Sequence, residues 1–172
     1  MHKPAVDSCF EVAFWFLDRA LDEGEYLQPQ KMHRLMFLAQ AYFASARHGE
    51  KLMPASFVIG PEGPIEPTVF RAMERGRPMV DTTTIDEPVE HVLDSVWRQF
   101  GTKSVERLNT AISNHPPVAN ANENGLGTEI SYEEMVDFYV RALSQNLNRK
   151  QPQAGYQDTD APSPDRVLRP KL

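Results

Sequence analysis

An apolar helical pattern runs from Pro29 to Gly49 and organises the rest of the chain. Pro29 suits the first turn of a helix, and Gly49 supplies a natural stop. Between Leu35 and Ala44 only Gln40 is strongly polar, so this helix needs other elements on most sides. The pattern predicts a central helix at residues 29–48. Its apolar face comprises Met32, Leu35, Met36, Ala39, Tyr42, Phe43 and Ala46.

Two further elements are predicted around this helix. Ser8 and Glu11 have capping-box spacing, which starts a first helix near Asp7 or Ser8 and ends it in the acidic segment 22–25. Residues 55–59 form a short β-type run, followed by the loop GPEGPIEP. The prolines of that loop fix an extended path and remove N–H groups that a phosphate-binding loop needs. A rigid structural loop is the favoured interpretation.

Four more helices follow by their start and stop signals. Pro67 opens one that Gly76 closes, and Pro88 opens an amphipathic helix that ends at Gly101. A helix is predicted from about Thr102 to Asn114, where His-Pro-Pro stops it, with loop at 119–128. A second capping box at residues 131–134 starts the last helix.

These elements predict a mainly α fold (α+β), with about six helices packed around helix 29–48 and a small β element near 55–60. Residues 1–148 form one domain. The segment 149–172 has four prolines, few apolar residues and no periodicity, so a disordered tail is expected. Val167 and Leu168, which lie between two arginines, are candidates for a short docking motif.

Composition narrows the class of partner. The chain of 172 residues carries a net charge of −6, which argues against broad binding to nucleic acid or an anionic membrane. No apolar window is long enough to span a bilayer. The single Cys9 excludes an internal disulfide framework and a cysteine-based zinc site, and a reducing cytoplasm is the simplest compartment.

The sequence contains no convincing catalytic constellation. Its five histidines lack metal-like spacing, and no nucleophile elbow, phosphate-binding loop or dinucleotide fingerprint occurs. Cys9 lies in a first helical turn, where the dipole could lower its pKa, but a small buried residue is the favoured interpretation. The acidic residues of the first helix are expected to form a solvated face. We therefore predict no catalytic residue, no cofactor and no metal, and an enzyme is the weaker class.

Two aromatic residues and two arginines are candidate partner-binding groups. Trp15 and Phe37 fall on helix faces whose other members are mostly polar or small. Cover by a later helix is favoured, since single apolar residues of this kind are common; an exposed anchor for a partner is the alternative. Arg71 and Arg75 belong with Arg77 to one basic cluster, for which a solvated helix end is favoured over an acidic partner patch.

Several segments, in order, resemble the Panacea domain, a family of SocA-like antitoxins also found in phage-associated proteins. Residues 31–39 read KMHRLMFLA, similar to the family pattern KLQKLLYFA. Residues 57–67 read FVIGPEGPIEP, similar to FxAWxxGPVxP, with Gly60 at the position of the family tryptophan. Asn114-His115 resembles a family Thr-His, and residues 130–139 resemble the closing ISxE pattern. The resemblance spans about residues 7–143.

The resemblance implies an antitoxin that neutralises a cognate protein toxin by direct binding. One alternative is a proteolytic adaptor that delivers the toxin to a cytosolic AAA+ protease, with the tail binding the protease. A second alternative is an enzyme with an unrecognised site near His115 and the loop 63–67.

Overall fold

The computed structural model describes residues 3–150, which form seven α-helices and a two-stranded sheet. The order along the chain is α1 (Cys9–Asp22), α2 (Pro29–Ala46), β1 (Val58–Ile59), β2 (Pro64–Ile65), α3 (Pro67–Ala72), α4 (Glu87–Phe100), α5 (Val105–Ser113), α6 (Pro116–Glu123) and α7 (Tyr132–Lys150). The predicted fold class, mainly α with a minor β element, is confirmed.

Helix α2 lies at the centre, as its apolar pattern predicts. It packs against α1, α4, α5, α7 and strand β2. Every residue from Met32 to Ala41 is buried, including the polar His33, Arg34 and Gln40. Gln40 is satisfied because its amide exchanges hydrogen bonds with the backbone N–H and carbonyl of Met53. The central helix therefore holds the following chain through polar as well as apolar contacts.

The small sheet fixes the Gly-Pro loop against this centre. Strands β1 and β2 pair antiparallel, with Val58 opposite Ile65 and Ile59 opposite Pro64. The chain after α6 continues along β1, where the Ile59 N–H donates to the Thr128 carbonyl at 2.9 Å. The sequence pattern predicts β1 within 55–60 but not β2, since prolines are unusual in strands. Pro64 is tolerated here because this sheet has only edge strands.

Two predicted boundaries are wrong. Residues 119–128 were expected to be loop, yet α6 begins at Pro116 and continues to Glu123. Pro116 starts this helix because it lies in the first turn, where a backbone N–H would have no partner within the helix. Helix α3 ends at Ala72, well before the predicted stop at Gly76. The seventh helix and the shorter α3 are the main departures from the predicted architecture.

The acidic residues of α1 do not all lie on a solvated face, which corrects that prediction for Glu11. Glu11 is buried, and its carboxylate accepts hydrogen bonds from the Asp7 N–H and from the N–H and hydroxyl of Thr83. Ser8 caps the helix by accepting from the Phe10 N–H at 3.1 Å. Through these hydrogen bonds Glu11 holds both the start of α1 and the connector before α4 in place.

Candidate functional site

The loop between the two strands is tied to α2 by Arg34. The Arg34 Nη1 group donates to the Pro64 carbonyl at 2.8 Å, and Nε donates to Asn109 Oδ1 at 2.7 Å. Gly63 lets the loop approach this closely: a Cβ there would lie 2.8 Å from Arg34 Nε, and its φ of +148° disfavours other residues. The loop, α2 and α5 therefore meet at one buried guanidinium.

An open cavity of about 340 Å³ lies beside this contact, which we call the α2–α3 pocket. Its walls come from the first turns of α2, from the loop and from α3. The lining is mostly apolar, with a few polar groups. The lining includes His33, Arg34, Pro61, Glu62, Ile65 and Phe70.

Arg34 places a buried positive charge without an ion-pair partner at the base of the pocket. It is 1% exposed, and among residues 3–150 no carboxylate lies within ion-pair distance of it. Burial lowers the pKa of the guanidinium to about 10, with the charge of Glu62 opposing. At neutral pH the pocket thus has a desolvated cation at its base without a paired carboxylate.

One nitrogen of Arg34 remains available. Nε and Nη1 have partners, whereas Nη2 has no hydrogen-bond acceptor in the described part of the chain. No fully buried side-chain nitrogen or oxygen in that part lacks a partner. It follows that Nη2 is not fully enclosed, and Arg34 lines the α2–α3 pocket. Nη2 is therefore the guanidinium nitrogen that can still donate a hydrogen bond.

His33 completes the base of the pocket as a neutral ring. Its Nδ1 accepts from the Glu66 N–H at 3.2 Å, which leaves the proton on Nε2. Burial lowers the pKa of His33 to about 4, and the charge of Arg34 acts in the same direction. Glu66 in turn caps α3 by accepting from the Val69 N–H at 2.7 Å. This network holds the start of α3 on α2.

Phe70 forms the exposed edge of the pocket. Its ring stands 5.9 Å from the His33 ring, and 46% of the residue is exposed. The next residue along α3 is Arg71, which is exposed, as is Arg75. All three arginines of the predicted cluster are exposed, but Arg77 is already engaged, since it pairs with Asp18 and lies over the Phe14 ring.

The alternative of exposed anchors at Trp15 and Phe37 is wrong for Phe37, which is fully buried. It is 0% exposed and packs edge-on against Phe57 and Tyr139. Trp15 is half-buried and contacts the Phe16 ring and the Arg19 guanidinium. The favoured interpretation, cover by other elements, is confirmed for Phe37. Only Trp15 retains surface, in a shallow hollow between α1 and α4.

The structure also describes the surroundings of the single cysteine and of the possible metal ligands. Cys9 is buried beside Glu66, and burial raises the pKa of its thiol to about 12, so the thiol stays protonated at neutral pH. Among residues 3–150, no three His, Cys, Asp or Glu side chains are placed to hold a metal ion. No helix in that range is long and apolar enough to cross a membrane. Val167 and Leu168 lie outside the described residues, as does most of the predicted tail.

His115 and the loop 63–67, which were joined in one enzyme hypothesis, border different cavities. His115 lies in a cavity beside α5, while the loop borders the α2–α3 pocket. The sequence did not point to Arg34, His33 or Phe70 as site residues. The one available signal was the adjacent polar pair His33-Arg34, which directly precedes the apolar run that begins at Leu35.

No family model, curated protein or solved structure matches the chain. The resemblance to the Panacea domain stays a prediction from the motifs quoted above. Two of those motifs, at 31–39 and 57–67, contain most of the residues that line the α2–α3 pocket.

Proposed function

We propose that this chain is an antitoxin that neutralises a cognate protein toxin by direct binding, and that the α2–α3 pocket receives an anchoring side chain of the toxin. The antitoxin function rests on the resemblance. The place and chemistry of binding rest on one observation: an open apolar pocket whose base is the unpaired, buried guanidinium of Arg34.

The walls of the pocket support an apolar anchor. Pro61, Ile65 and Phe70 offer hydrocarbon surface, and a volume of about 340 Å³ accommodates a large side chain. Binding energy at protein interfaces is concentrated in such anchors, which fill well-packed pockets near the centre of the contact. The exposed Phe70 ring would lose its remaining contact with water when a partner covers it.

The base of the pocket supports an anchor that ends in an oxygen. Arg34 Nη2 can donate a charge-assisted hydrogen bond, which is stronger than a neutral one in a desolvated site. A tyrosine, glutamine or glutamate of the toxin combines a long stem with such an acceptor. A glutamate would also neutralise the buried charge. Arg71, which follows Phe70 along the chain, and Arg75 are both exposed and favour an acidic surface on the partner.

Growth rescue tests the proposal. Each protein encoded beside this gene is expressed in a bacterial host from an inducible promoter, with and without this chain. We expect one neighbour to arrest growth alone but not with this chain, and the two proteins to co-purify. Phe70→Ala should reduce the rescue. Leu126→Ala is the matched control, because Leu126 is also an exposed apolar residue and lies outside the pocket.

Two results contradict the proposal. If no neighbour is toxic, or if toxicity persists with this chain present, the antitoxin function is wrong. If rescue occurs but is equal for Phe70→Ala and wild type, the binding site is wrong. Immunoblots of the toxin separate blocking from delivery to a protease: a constant toxin level supports blocking, whereas loss of the toxin supports the adaptor alternative.

A further inference from the structure

A second cavity, of about 390 Å³, lies between α2, α4, α5 and α7, and we call it the α5 cavity. It shares no lining residue with the α2–α3 pocket. Its size falls in the range of small-molecule sites. The lining includes Tyr42, Phe100, Lys103, Arg107, His115 and Tyr139.

The inner wall of this cavity is aromatic and held in place. The Tyr42 ring stands 5.7 Å from Phe100 and 5.8 Å from Tyr139, so three rings from different helices meet there. Tyr139 is 3% exposed and its hydroxyl lies 2.7 Å from His115 Nδ1. Such a wall offers ring faces and edges to a flat ligand at little loss of side-chain entropy.

The His115–Tyr139 contact also presents a donor. Burial lowers the pKa of His115 and raises the pKa of Tyr139, so both groups are neutral at pH 7. Tyr139 is buried and its hydroxyl has no other acceptor within residues 3–150, so we assign the tyrosine as the donor to Nδ1, which puts the histidine proton on Nε2. Nε2 has no hydrogen-bond partner within residues 3–150, and no fully buried side-chain nitrogen there lacks one. This N–H is therefore solvent-accessible at a residue that lines the cavity.

The mouth of the cavity is cationic. Lys103 and Arg107 are exposed, and neither forms an ion pair in the described part of the chain. None of the residues that line the cavity is acidic. In a protein with a net charge of −6 this is a local reversal of sign. Two unpaired cations beside an apolar hollow attract an anion and leave its uncharged part to the hollow.

From this arrangement we infer that the α5 cavity binds a small aromatic anion, with the ring against Tyr42, Phe100 and Tyr139 and the carboxylate or phosphate at Lys103 and Arg107. This site is independent of toxin binding at the α2–α3 pocket. The shared chemistry is a flat apolar body with one anionic group. A carboxylate and a phosphate both satisfy it.

Calorimetric titration of the full chain tests the inference with four probes. Indole-3-acetate and adenosine 5′-monophosphate supply the carboxylate and the phosphate. Indole-3-acetamide and adenosine are their neutral counterparts. We expect at least one anion to bind with a Kd below about 1 mM and about tenfold or more tightly than its neutral counterpart, as for charge-assisted contacts. The better of the two anions identifies the class of anionic group.

Three variants test where the anion binds. Lys103→Gln/Arg107→Gln should weaken it about tenfold or more, whereas Arg141→Gln/Arg149→Gln removes the same charge from exposed positions on α7 and should leave it unchanged. Ala111→Trp adds a ring at the lining of the cavity and should abolish binding. The inference is overturned if neither anion binds, if the neutral counterparts bind equally well, or if the two charge variants have equal affinity.

Discussion

Arg34 on α2 and Pro64 at the start of β2 are joined by a hydrogen bond of 2.8 Å between the guanidinium Nη1 and the backbone carbonyl. They stand 30 residues apart in sequence, and both are buried. This contact brings a charged group of the central helix to the base of the α2–α3 pocket. Its physical consequences lead to the first prediction.

Gly63→Ala should destabilise the fold at this contact. The added methyl group would lie 2.8 Å from Arg34 Nε and 3.0 Å from Cζ, so the buried guanidinium must move away from Asn109 or Pro64. We expect a loss of about 2–4 kcal/mol in the free energy of unfolding, from overpacking and a broken hydrogen bond. Urea denaturation measures it.

Gly125→Ala is the control for that substitution. Gly125 also has a positive φ, of +90°, but no atom lies within 4 Å of the added methyl group. It should therefore show the backbone strain alone, about 1 kcal/mol. Equal losses for the two variants would mean that Arg34 does not restrict the space at Gly63.

Phe37→Ala should lower the free energy of unfolding more than a substitution at the edge of the α2–α3 pocket. Phe37 is 0% exposed and fills space between Phe57 and Tyr139, so its removal leaves a cavity. We expect a loss of about 3–5 kcal/mol in the free energy of unfolding. Phe70→Ala removes the same ring from a position that is 46% exposed and should cost about 1 kcal/mol. Similar losses would show that Phe37 is not a core residue.

Glu11→Ala should loosen the connector before α4. The Glu11 carboxylate is buried and accepts from both the N–H and the hydroxyl of Thr83, at 3.0 and 2.6 Å. Loss of these bonds should lower stability by about 1–3 kcal/mol and accelerate hydrogen exchange at the Thr83 amide. Asp22→Ala, an exposed change on the same helix, should do neither. Unchanged exchange at Thr83 in Glu11→Ala would contradict this role.

His33 should make stability depend on pH. Its pKa is about 4 in the folded protein, against 6.5 in an unfolded chain. Between these values the unfolded chain binds more protons, so the free energy of unfolding rises with pH in this window. From pH 7 down to pH 4 we expect a loss of about 2–3 kcal/mol from this residue.

Denaturation of wild type and His33→Gln at several pH values checks this dependence. Glutamine can still accept from the Glu66 N–H but does not titrate, so the slope between pH 4 and 6.5 should become shallower. His115→Gln is the comparison, because burial lowers the pKa of His115 as well and acts in the same direction. If His33→Gln keeps the full wild-type slope, the ring is not buried in its neutral form.

The sequence predicts the architecture where one face of an element decides its position. The apolar run around Leu35 predicts α2 as the central helix, and the capping residue Ser8 predicts the start of α1. The periodicity of apolar residues does not indicate which polar residues are buried. It predicts a solvated position for Glu11, because Thr83, the hydrogen-bond partner of Glu11, lies 72 residues away in the sequence. Long-range hydrogen bonds of this kind have no local signal.

The candidate site could be predicted from the sequence only in part, because it also depends on contacts between residues far apart in the chain. The prolines predict a rigid Gly-Pro loop, and the structure places this loop between the paired strands β1 and β2. The pocket itself depends on Arg34, whose partner Asn109 lies 75 residues away on α5. Nothing in the spacing of residues 29–49 indicates that this arginine would be buried. Phe37, in contrast, followed the simple expectation for an apolar residue in a central helix.

The affinity of the purified chain for the proposed toxin, measured by calorimetry for wild type, Phe70→Ala and Leu126→Ala, tests the central claim most directly. If the α2–α3 pocket holds an anchor of the toxin, Phe70→Ala should weaken binding by about 2 kcal/mol, roughly a thirtyfold rise in Kd, and Leu126→Ala should leave Kd unchanged. A folded Phe70→Ala protein with the wild-type Kd would contradict the claim.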